Sequence, residues 1–543
     1  MRTTSFKSRA FALVSTTALL ATLVVASPAH AAATGPTCDG ATPVQTCTGT
    51  TSDGAAYKMV VPASFNGTVT IWSHGFGGNT TIPGYFAVDS TAQLAPNGPG
   101  QNGGSPELVK YLTDKGVAVM GSGFSTQGWN LDEAVKTNTE LVGIFKAKFT
   151  TTKKVVAWGY SMGGGITQAF AEQHPELLAS AAVMNPVDAW SSQGKYFIDI
   201  LWLMKTWFDP SIKLTGYAAG AAGDMQMLQD LGKYTAVLKA LQAGIATGSW
   251  PTTSSASAKA LEAKGIPSRS ALLMIGRLAG VSTQSTSFDS ISTPGGAAVT
   301  AWPLAYAPAL ATLENIAGVL GYSLLGARDM EAKMGGVWAD NQKTDFSKQL
   351  SDEDRTVYNA GLSGNTAIAG MLSTLNPLNP DAPRIKGEAA AMAKDAASHY
   401  QNTGKIKVPT VMMIGQNDPV EPAGIVQRIS DLYEADFAAA KSAALKARKA
   451  VPARNLQVLW SVTPKTWSKF DAAGLPVSLT NTPGTGHTNF TMAHYKLVID
   501  TALAAAETGK LPWSGAQLTK VYKAKGLKID RDTLYPWMKY YNK

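Results

Sequence analysis

The feature that most constrains this chain is a buried strand pattern that stops at a glycine-flanked serine and resumes as a helix. Lys153–Trp158 (KKVVAW) predicts the strand, and Gly159-Tyr160-Ser161-Met162-Gly163 follows it directly. The period then becomes helical, with apolar residues at Ile166, Ala169 and Phe170. A sharp strand–turn–helix unit of this kind is typical of proteins in which helices cover a parallel sheet.

The same alternation continues along the chain. Further strands are predicted at Thr68–Ser73, Gly116–Gly121, Ala179–Val183, Val408–Ile414 and Leu456–Val462, and a long helix at Ile425–Val451. Apolar residues make up 45% of the chain and charged residues only 16%, which indicates a large core and excludes a disordered protein. We therefore expect an α/β fold with a mainly parallel sheet flanked by helices.

The stretch 187–404 differs from its flanks. It has few β-branched runs and many Ala, Leu and Met residues at helical spacing, which predicts a large, mostly helical insertion, or cap. Lys195–Phe208, with Trp202 and Trp207, predicts a helix buried inside this cap. Part of its surface is also a candidate lining for an acyl or aromatic pocket over Ser161, and the two roles are compatible. The chain is predicted to begin with a signal peptide, 1–31, and an N-terminal segment, 32–55, that contains both cysteines. The two parts of the core are 56–186 and 405–508, the cap is 187–404, and a basic, aromatic tail occupies 509–543.

The N-terminus has the pattern of a secretory signal peptide. A basic stretch ends at Arg9, the apolar run Ala10–Ala26 follows, and Ala29-His30-Ala31 offers a small-x-small cleavage site. The run is shorter than the roughly 20 residues that span a bilayer. We therefore expect cleavage near Ala31, a secreted protein, and a disulfide between its two cysteines, Cys38 and Cys47.

The distribution of charge and the cysteine spacing argue against binding of nucleic acid or a metal ion. The formal charge is +9, but eight Lys or Arg residues lie in the tail from Lys510, where Trp513, Tyr535 and Trp537 could dock it on the fold. No nucleic-acid partner is expected. The apolar stretch Ala297–Leu325 contains prolines and Glu314, which suits a buried helix better than a membrane span. There is no CxxC pair, and we expect neither a metal nor a cofactor.

Ser161 stands where a strained strand-to-helix turn would expose a nucleophile. A serine hydroxyl needs a neighbouring base, and a carboxylate must orient that base. Among six histidines, His487 is the best candidate, because it lies in a glycine-flanked loop, Pro483–Phe490, beyond the last predicted strand. We expect it to titrate near the ordinary histidine pKa of about 6–7.

The carboxylate is predicted in Gly415–Pro422 (GQNDPVEP), just after a buried strand. Functional residues of open α/β sheets lie at this edge. Asp418 is the first choice, and Glu421 is the alternative. We expect Glu421 to lie instead at the N-terminus of a helix that begins after Pro422, where an acidic group is favourable.

The turn His74-Gly75-Phe76-Gly77-Gly78 follows the first core strand. An acyl-transfer site needs two backbone N–H groups directed at the developing oxyanion. Met162, which follows the serine, is predicted to supply one, and Phe76 the other. His74 is expected to brace the turn rather than to transfer protons.

Together, Ser161, Asp418 and His487 in this order, with HGFGG upstream, resemble the α/β-hydrolase superfamily. The chain looks like a secreted bacterial serine hydrolase with an unusually long cap, and the resemblance covers about 56–186 and 405–508. It implies nucleophile, acid and base roles for these three residues. It leaves the substrate open, because the superfamily includes esterases, lipases and peptidases.

The apolar cap favours a small-molecule or polymeric carboxylic ester with an apolar or aromatic part as substrate. A secreted exopeptidase is the alternative, and it would need acidic cap residues such as Glu314, Asp329 and Glu331 to converge on a free amino terminus. The third possibility is a binding protein on a hydrolase scaffold, which would be expected to have lost one of the three site residues.

Overall fold

The computed structural model describes residues 33–40, 44–97, 104–292, 306–472 and 481–512, together with isolated positions at 474, 477, 517, 520, 521, 527 and 529–530. The predicted signal peptide lies outside the described residues, as does most of the predicted tail. The site described below falls entirely within the described ranges.

A single twisted sheet organises the described part of the chain. Its strands are β1 (Thr34–Cys38), β2 (Val44–Thr50), β3 (Ala56–Pro62), β4 (Thr68–Ser73), β5 (Ala118–Ser122), β6 (Lys154–Ser161), β7 (Ser180–Pro186), β8 (Thr410–Gly415), β9 (Leu456–Ser461) and β10 (Ile529–Asp530). They lie in the order β1-β2-β3-β5-β4-β6-β7-β8-β9-β10. The six strands from β5 to β9 are mutually parallel, whereas β1–β3 and β10 pair antiparallel.

The central strands are buried on both faces, which explains their continuous apolar runs. On one face they pack against α2 (Leu131–Lys148) and α3 (Met162–Gln173), and on the other against α1 (Pro106–Thr113) and α13 (Met492–Thr508). Trp72 and Trp158, neighbours across β4 and β6, meet edge to face in the second of these layers. The expected α/β sheet is thus present, and all six predicted core strands coincide with strands of the structure.

The predicted N-terminal segment is part of the sheet. β1 and β2 extend it beyond β3, and Cys38 and Cys47, which lie opposite each other on these strands, form a disulfide. The sequence did not predict these strands, because they contain threonine and glycine rather than a buried apolar run.

The cap lies between β7 and β8. Its helices are α4 (Trp190–Phe208), α5 (Gly220–Gly244), α6 (Ala256–Ala263), α7 (Ser268–Ala279), α8 (Tyr306–Met334), α9 (Asp352–Val357), α10 (Gly364–Thr374) and α11 (Ala389–Ser398). The core resumes with α12 (Ala423–Lys446), between β8 and β9. Helix α8 is the one described helix long and apolar enough to cross a membrane, and most of its apolar window is buried inside the protein.

Helix α4 is buried, and its two tryptophans contact other parts of the cap. Trp202 stacks on Phe346 and donates its indole N–H to the carbonyl oxygen of Pro383 at 2.9 Å. Trp207 donates to Thr374 Oγ1 at 2.9 Å. Since Pro383, Phe346 and Thr374 all belong to the cap, both tryptophans hold the cap together.

Candidate active site

Ser161 is held in a strained backbone conformation at the end of β6. Its φ of 57° and ψ of −134° lie outside the regions that residues with a side chain usually adopt. The neighbouring glycines make the turn possible, because a side chain on Gly163 would collide with the backbone oxygens of Ser73 and His74. The turn therefore leads straight into α3 and presents the serine hydroxyl at the carboxyl edge of the sheet.

The structure brings the three predicted site residues together. Ser161 Oγ lies 3.0 Å from His487 Nε2. On the other side of the ring, Nδ1 lies 3.2 and 3.1 Å from the two carboxylate oxygens of Asp418. If Nδ1 donates to Asp418, Nε2 is left free to accept the serine proton, which is the tautomer that a general base requires.

Asp418 is fixed by donors from two loops and from the end of β7. The backbone N–H groups of Val420 and Thr488 donate to its oxygens at 2.8 and 3.0 Å, and that of Glu421 at 3.1 Å. The side-chain amide of Asn185 donates at 2.5 Å and at the same time accepts from the backbone N–H of Gly415 at 2.6 Å. The carboxylate therefore cannot turn away from His487 without breaking several hydrogen bonds.

Asn185 is a site residue that the sequence analysis missed. An asparagine before Pro186 at the end of a predicted buried strand also fits a simple turn, so this pattern does not by itself indicate a site residue. The signal that could have identified it is position, since a buried amide at the carboxyl edge of β7 must find partners on the neighbouring β8 loop.

Glu421 does not play the expected capping role. Helix α12 begins at Ala423 with no side chain capping its N-terminus. Instead the Glu421 carboxyl is buried beside the other site residues, with Oε2 2.9 Å from His487 Nδ1 and Oε1 accepting from Ser161 Oγ at 3.3 Å. Glu421 does lie just before the helix, but the expected role at the helix N-terminus is wrong, because the loop turns its side chain inwards before the helix starts.

The two carboxyl groups change the protonation of the site. Burial raises the pKa of Glu421 to about 7, and the charge of Asp418 adds to this effect. Burial by itself lowers the pKa of His487, but the carboxylates of Glu421 and Asp418 outweigh it and hold that pKa well above its ordinary value. The expectation that His487 titrates near its usual pKa is therefore wrong.

The two segments predicted to form an oxyanion hole both adjoin Ser161. Met162 is the first residue of α3, so its N–H has no acceptor within the helix. The other segment, His74–Gly78, passes so close that a Cβ on Gly75 would lie 3.6 Å from Ser161 Oγ. Phe76 follows at the next position of this turn.

His74 braces this turn, as expected. Its ring is buried against Phe124, with 4.4 Å between ring centroids, and Nδ1 lies 2.8 Å from the carbonyl oxygen of Gly75. Burial lowers the pKa of His74, which favours its neutral form.

The cap covers the site through helix α8. The ring of Tyr322 meets the His487 ring edge to face, with 5.4 Å between centroids. Farther along the same helix, Asp329 accepts hydrogen bonds from the side chain of Asn79 at 2.6 Å and from the backbone N–H of Trp129 at 2.7 Å. The helix is thereby tied to the loop that continues from the HGFGG turn.

The acidic cap residues considered for an exopeptidase serve separate hydrogen-bond networks. Asp329 holds the contacts just described, Glu331 accepts from the backbone N–H of Tyr217 at 2.8 Å, and Glu314 accepts from Ser285 and Ser287. Each carboxylate already has its donors, so this group does not form a ready site for an amino terminus.

Within the described ranges, one group of side chains is spaced to hold a metal ion. It consists of Asp418, Glu421 and His487, whose ligand atoms lie within 4.8 Å of one another. The Asp418 oxygens and His487 Nδ1 already bond to each other, and Asp418 has further donors on two loops and at the end of β7. These contacts fit an acid–base group better than a set of vacant metal ligands.

A protein-family model and several solved structures are similar to parts of this chain. A family model described as alpha/beta hydrolase fold matches residues 119–221. Feruloyl esterase B from Aspergillus oryzae aligns over 86% of this chain and 81% of its own, with 12% identity and a TM-score of 0.35. A putative dipeptidyl aminopeptidase IV from Bacteroides ovatus covers 28% of this chain and 22% of its own, with 20% identity and a TM-score of 0.21.

An esterase from Pyrococcus furiosus covers 28% of this chain and 53% of its own, with 13% identity and a TM-score of 0.21. A search among curated proteins finds no match. The assignment of the fold rests on the family model and on the sheet topology described above.

Proposed function

From the α/β-hydrolase fold of the chain we propose that it is a serine hydrolase that cleaves carboxylic esters with an apolar acyl part or an aromatic part. The observation that carries the proposal is the continuous line of contacts from Ser161 Oγ through His487 to Asp418. A nucleophile, a base and an orienting acid in this geometry are the minimal set for covalent acyl transfer.

The proposed reaction has two halves. His487 Nε2 takes the proton of Ser161 as Oγ attacks the ester carbonyl carbon, and the N–H groups of Phe76 and Met162 hold the negative charge that develops on the carbonyl oxygen. His487 then protonates the leaving alcohol as the C–O bond breaks. Water, activated by the same histidine, hydrolyses the acyl-serine and releases the acid. Asp418 keeps the imidazole in the required tautomer throughout.

Aromatic side chains around the serine support an apolar acyl group. Tyr160 precedes Ser161 and packs beside Gly75, while Tyr322 reaches the site from the cap. Such surroundings favour apolar ligands with a few polar anchors.

The test compares p-nitrophenyl acyl esters with aminoacyl p-nitroanilides, using the purified protein and a Ser161→Ala control. We expect hydrolysis of the esters, no significant release of nitroaniline, and loss of ester turnover in the control. A chelator such as EDTA should leave the ester rate unchanged. Faster cleavage of anilides would favour the exopeptidase, and inactivity on both classes would favour a binding protein.

We also propose that the protein is secreted, on the basis of the N-terminal sequence pattern alone. Expression of the full chain in a secreting bacterial host, followed by N-terminal sequencing of protein from the medium, should give a mature terminus near Ala32. A product that stays in the cells with residues 1–31 attached would contradict this.

A further inference from the structure

Glu421 is a buried carboxyl that the proposed mechanism does not use. Its side chain is 1% exposed, and it approaches both reacting side chains of the site. Oε1 accepts from Ser161 Oγ at 3.3 Å, and Oε2 lies 2.9 Å from His487 Nδ1. A full or partial negative charge at this position therefore acts directly on the nucleophile and the base.

Its geometry differs from that of Asp418. Asp418 receives hydrogen bonds from His487 Nδ1 and from backbone N–H groups of its own loop. Glu421 Oε2, although close to the same nitrogen, is outside hydrogen-bond geometry and has no hydrogen-bond partner among the described residues. The contact is thus one of charge with the ring, while the directed bond belongs to Asp418.

The groups that face Glu421 determine how it titrates. Asp418 lies three residues before it on the same loop, His487 faces it from the loop after β9, and Ser161 from the end of β6. Tyr160 and Tyr322 in turn face His487. Burial raises the pKa of Glu421 to about 7, so the carboxylate forms as the pH rises through neutrality.

We propose that Glu421 is a second acid of the active site, whose carboxylate stabilises the imidazolium of His487 through space and sets the lower pH limit of activity. This inference rests on the proposed serine hydrolase function. The imidazolium forms when His487 takes the serine proton, so a nearby negative charge lowers that barrier. The same charge raises the pKa of His487 in the resting enzyme, so this histidine stays protonated to higher pH. A protonated His487 cannot accept the serine proton, and activity is therefore lost at low pH.

These two effects give Glu421→Gln a signature that a structural role does not share. Removal of the charge lets His487 lose its proton at lower pH, so the ascending limb of the pH profile should move towards acid. The plateau should fall at the same time, because the imidazolium loses one of its two carboxylates. A residue that only supports packing would lower the plateau and leave the limb in place.

The experiment measures kcat/KM for a p-nitrophenyl ester from pH 5 to 10 and, in parallel, the rate at which a fluorophosphonate labels Ser161. The second readout needs no deacylation. Glu421→Gln is compared with the parent and with Glu434→Gln, which removes a carboxylate that is 49% exposed on α12. At a rise of about 1.5 Å per residue, Glu434 lies roughly three turns along that helix from its start beside Glu421.

We expect the limb of Glu421→Gln to lie about one pH unit below that of the parent in both readouts, which is a tenfold change in proton affinity. The plateau should fall by up to about tenfold, within the range of a single acid–base contribution. Glu434→Gln should match the parent. If Glu421→Gln does not fold, Glu421→Leu supplies a second neutral variant that must show the same displacement.

If a folded neutral variant has the same ascending limb of the pH profile as the parent, the proposed role of Glu421 is wrong. An inactive Glu421→Gln beside a near-normal Asp418→Asn would also overturn it, because Glu421 would then be the orienting acid itself. If the parent neither hydrolyses the ester nor reacts at Ser161, the proposed function fails first, and this result is distinct from both of the others.

Discussion

At Ser161 the backbone stores strain in order to expose a hydroxyl. Its positive φ costs roughly 1–3 kcal/mol, which the surrounding structure must offset. The flanking glycines and the first turn of α3 hold the residue there, so the strain is part of the site. Thr488, directly after His487, also has a positive φ, of 49°, and its N–H reaches Asp418. Both strained residues therefore adjoin the proposed proton path.

Asp418→Asn should lower kcat by about 10³–10⁴, in line with loss of a triad acid on another fold. The amide nitrogen cannot accept the hydrogen bonds that Asn185 and Thr488 now donate, and one amide orientation favours the wrong tautomer of His487. Steady-state kinetics with a circular dichroism spectrum as folding control measures this. A kcat within tenfold of the parent would contradict the assignment of Asp418.

The residues of the site differ in how far their sequence context identifies them. Ser161 lies within a recognisable strand–turn–helix pattern, and His487 and Asp418 follow strands in glycine- or proline-containing loops. The inward side chain of Glu421 has no such pattern. Its position depends on how the loop after β8 meets the loop that carries His487, and this is a tertiary contact that local spacing does not encode.

Helix α13 carries a capping arrangement that links protonation to stability. The Thr491 side chain accepts from the backbone N–H of His494, and the neutral His494 Nδ1 accepts from the backbone N–H of Thr491 at 3.2 Å. Burial lowers the pKa of His494 to about 4. The folded protein therefore keeps this histidine neutral under conditions where an unfolded chain would protonate it.

Between pH 6.5 and 4 the unfolded state binds more protons at His494 than the folded state, so this residue makes stability fall as the pH falls. The loss should approach about 3 kcal/mol at pH 4, because burial lowers the pKa of this histidine from its ordinary value of 6.5 to about 4. His494→Gln can still cap the helix but does not titrate. Denaturant unfolding at pH 7 and 4.5 should show a smaller loss of stability on acidification in this variant than in the parent or in the control His174→Gln, whose side chain is partly exposed. Equal losses in all three proteins would contradict the role of His494.

The sequence predicts that helix α8 is buried, but it does not predict where this helix packs. Its apolar composition and the charge at Glu314 predict a buried helix, and the structure contains one over Tyr306–Met334. Its position across the active site, with Tyr322 on His487 and Asp329 on the loop after the HGFGG turn, depends on packing against α4, α5 and α7. The sequence directed attention to Trp202 and Trp207 on α4 instead, because large aromatic residues are the stronger local signal.

Over the whole molecule, the order of strands separates the site from the disulfide. Ser161, Asn185 and Asp418 follow or end the central strands β6, β7 and β8, whereas β1 and β2 occupy one edge of the sheet. The large helical cap could be predicted from its composition, since it lacks β-branched runs. The edge strands could not, because their pairing depends on register with β3 rather than on a buried apolar face.

The Cys38→Ser/Cys47→Ser variant should therefore keep its ester activity within about twofold and lose no more than roughly 2–3 kcal/mol of stability, the entropic limit for so short a loop. Urea unfolding and ester kinetics on the same preparation measure both quantities. Mass spectrometry after alkylation without reductant should find no free thiol in the parent. A large loss of activity in the folded variant would mean that the edge strands and the site are coupled.

The most direct test of the central claim is the identity of the residue that a fluorophosphonate labels. The covalent mechanism predicts stoichiometric modification of Ser161, located by peptide mass spectrometry, with loss of ester turnover in proportion to labelling. Ser161→Ala should take up no label while keeping the circular dichroism spectrum and unfolding midpoint of the parent. Label on a different serine, or undiminished turnover by a fully labelled protein, would show that Ser161 is not the nucleophile.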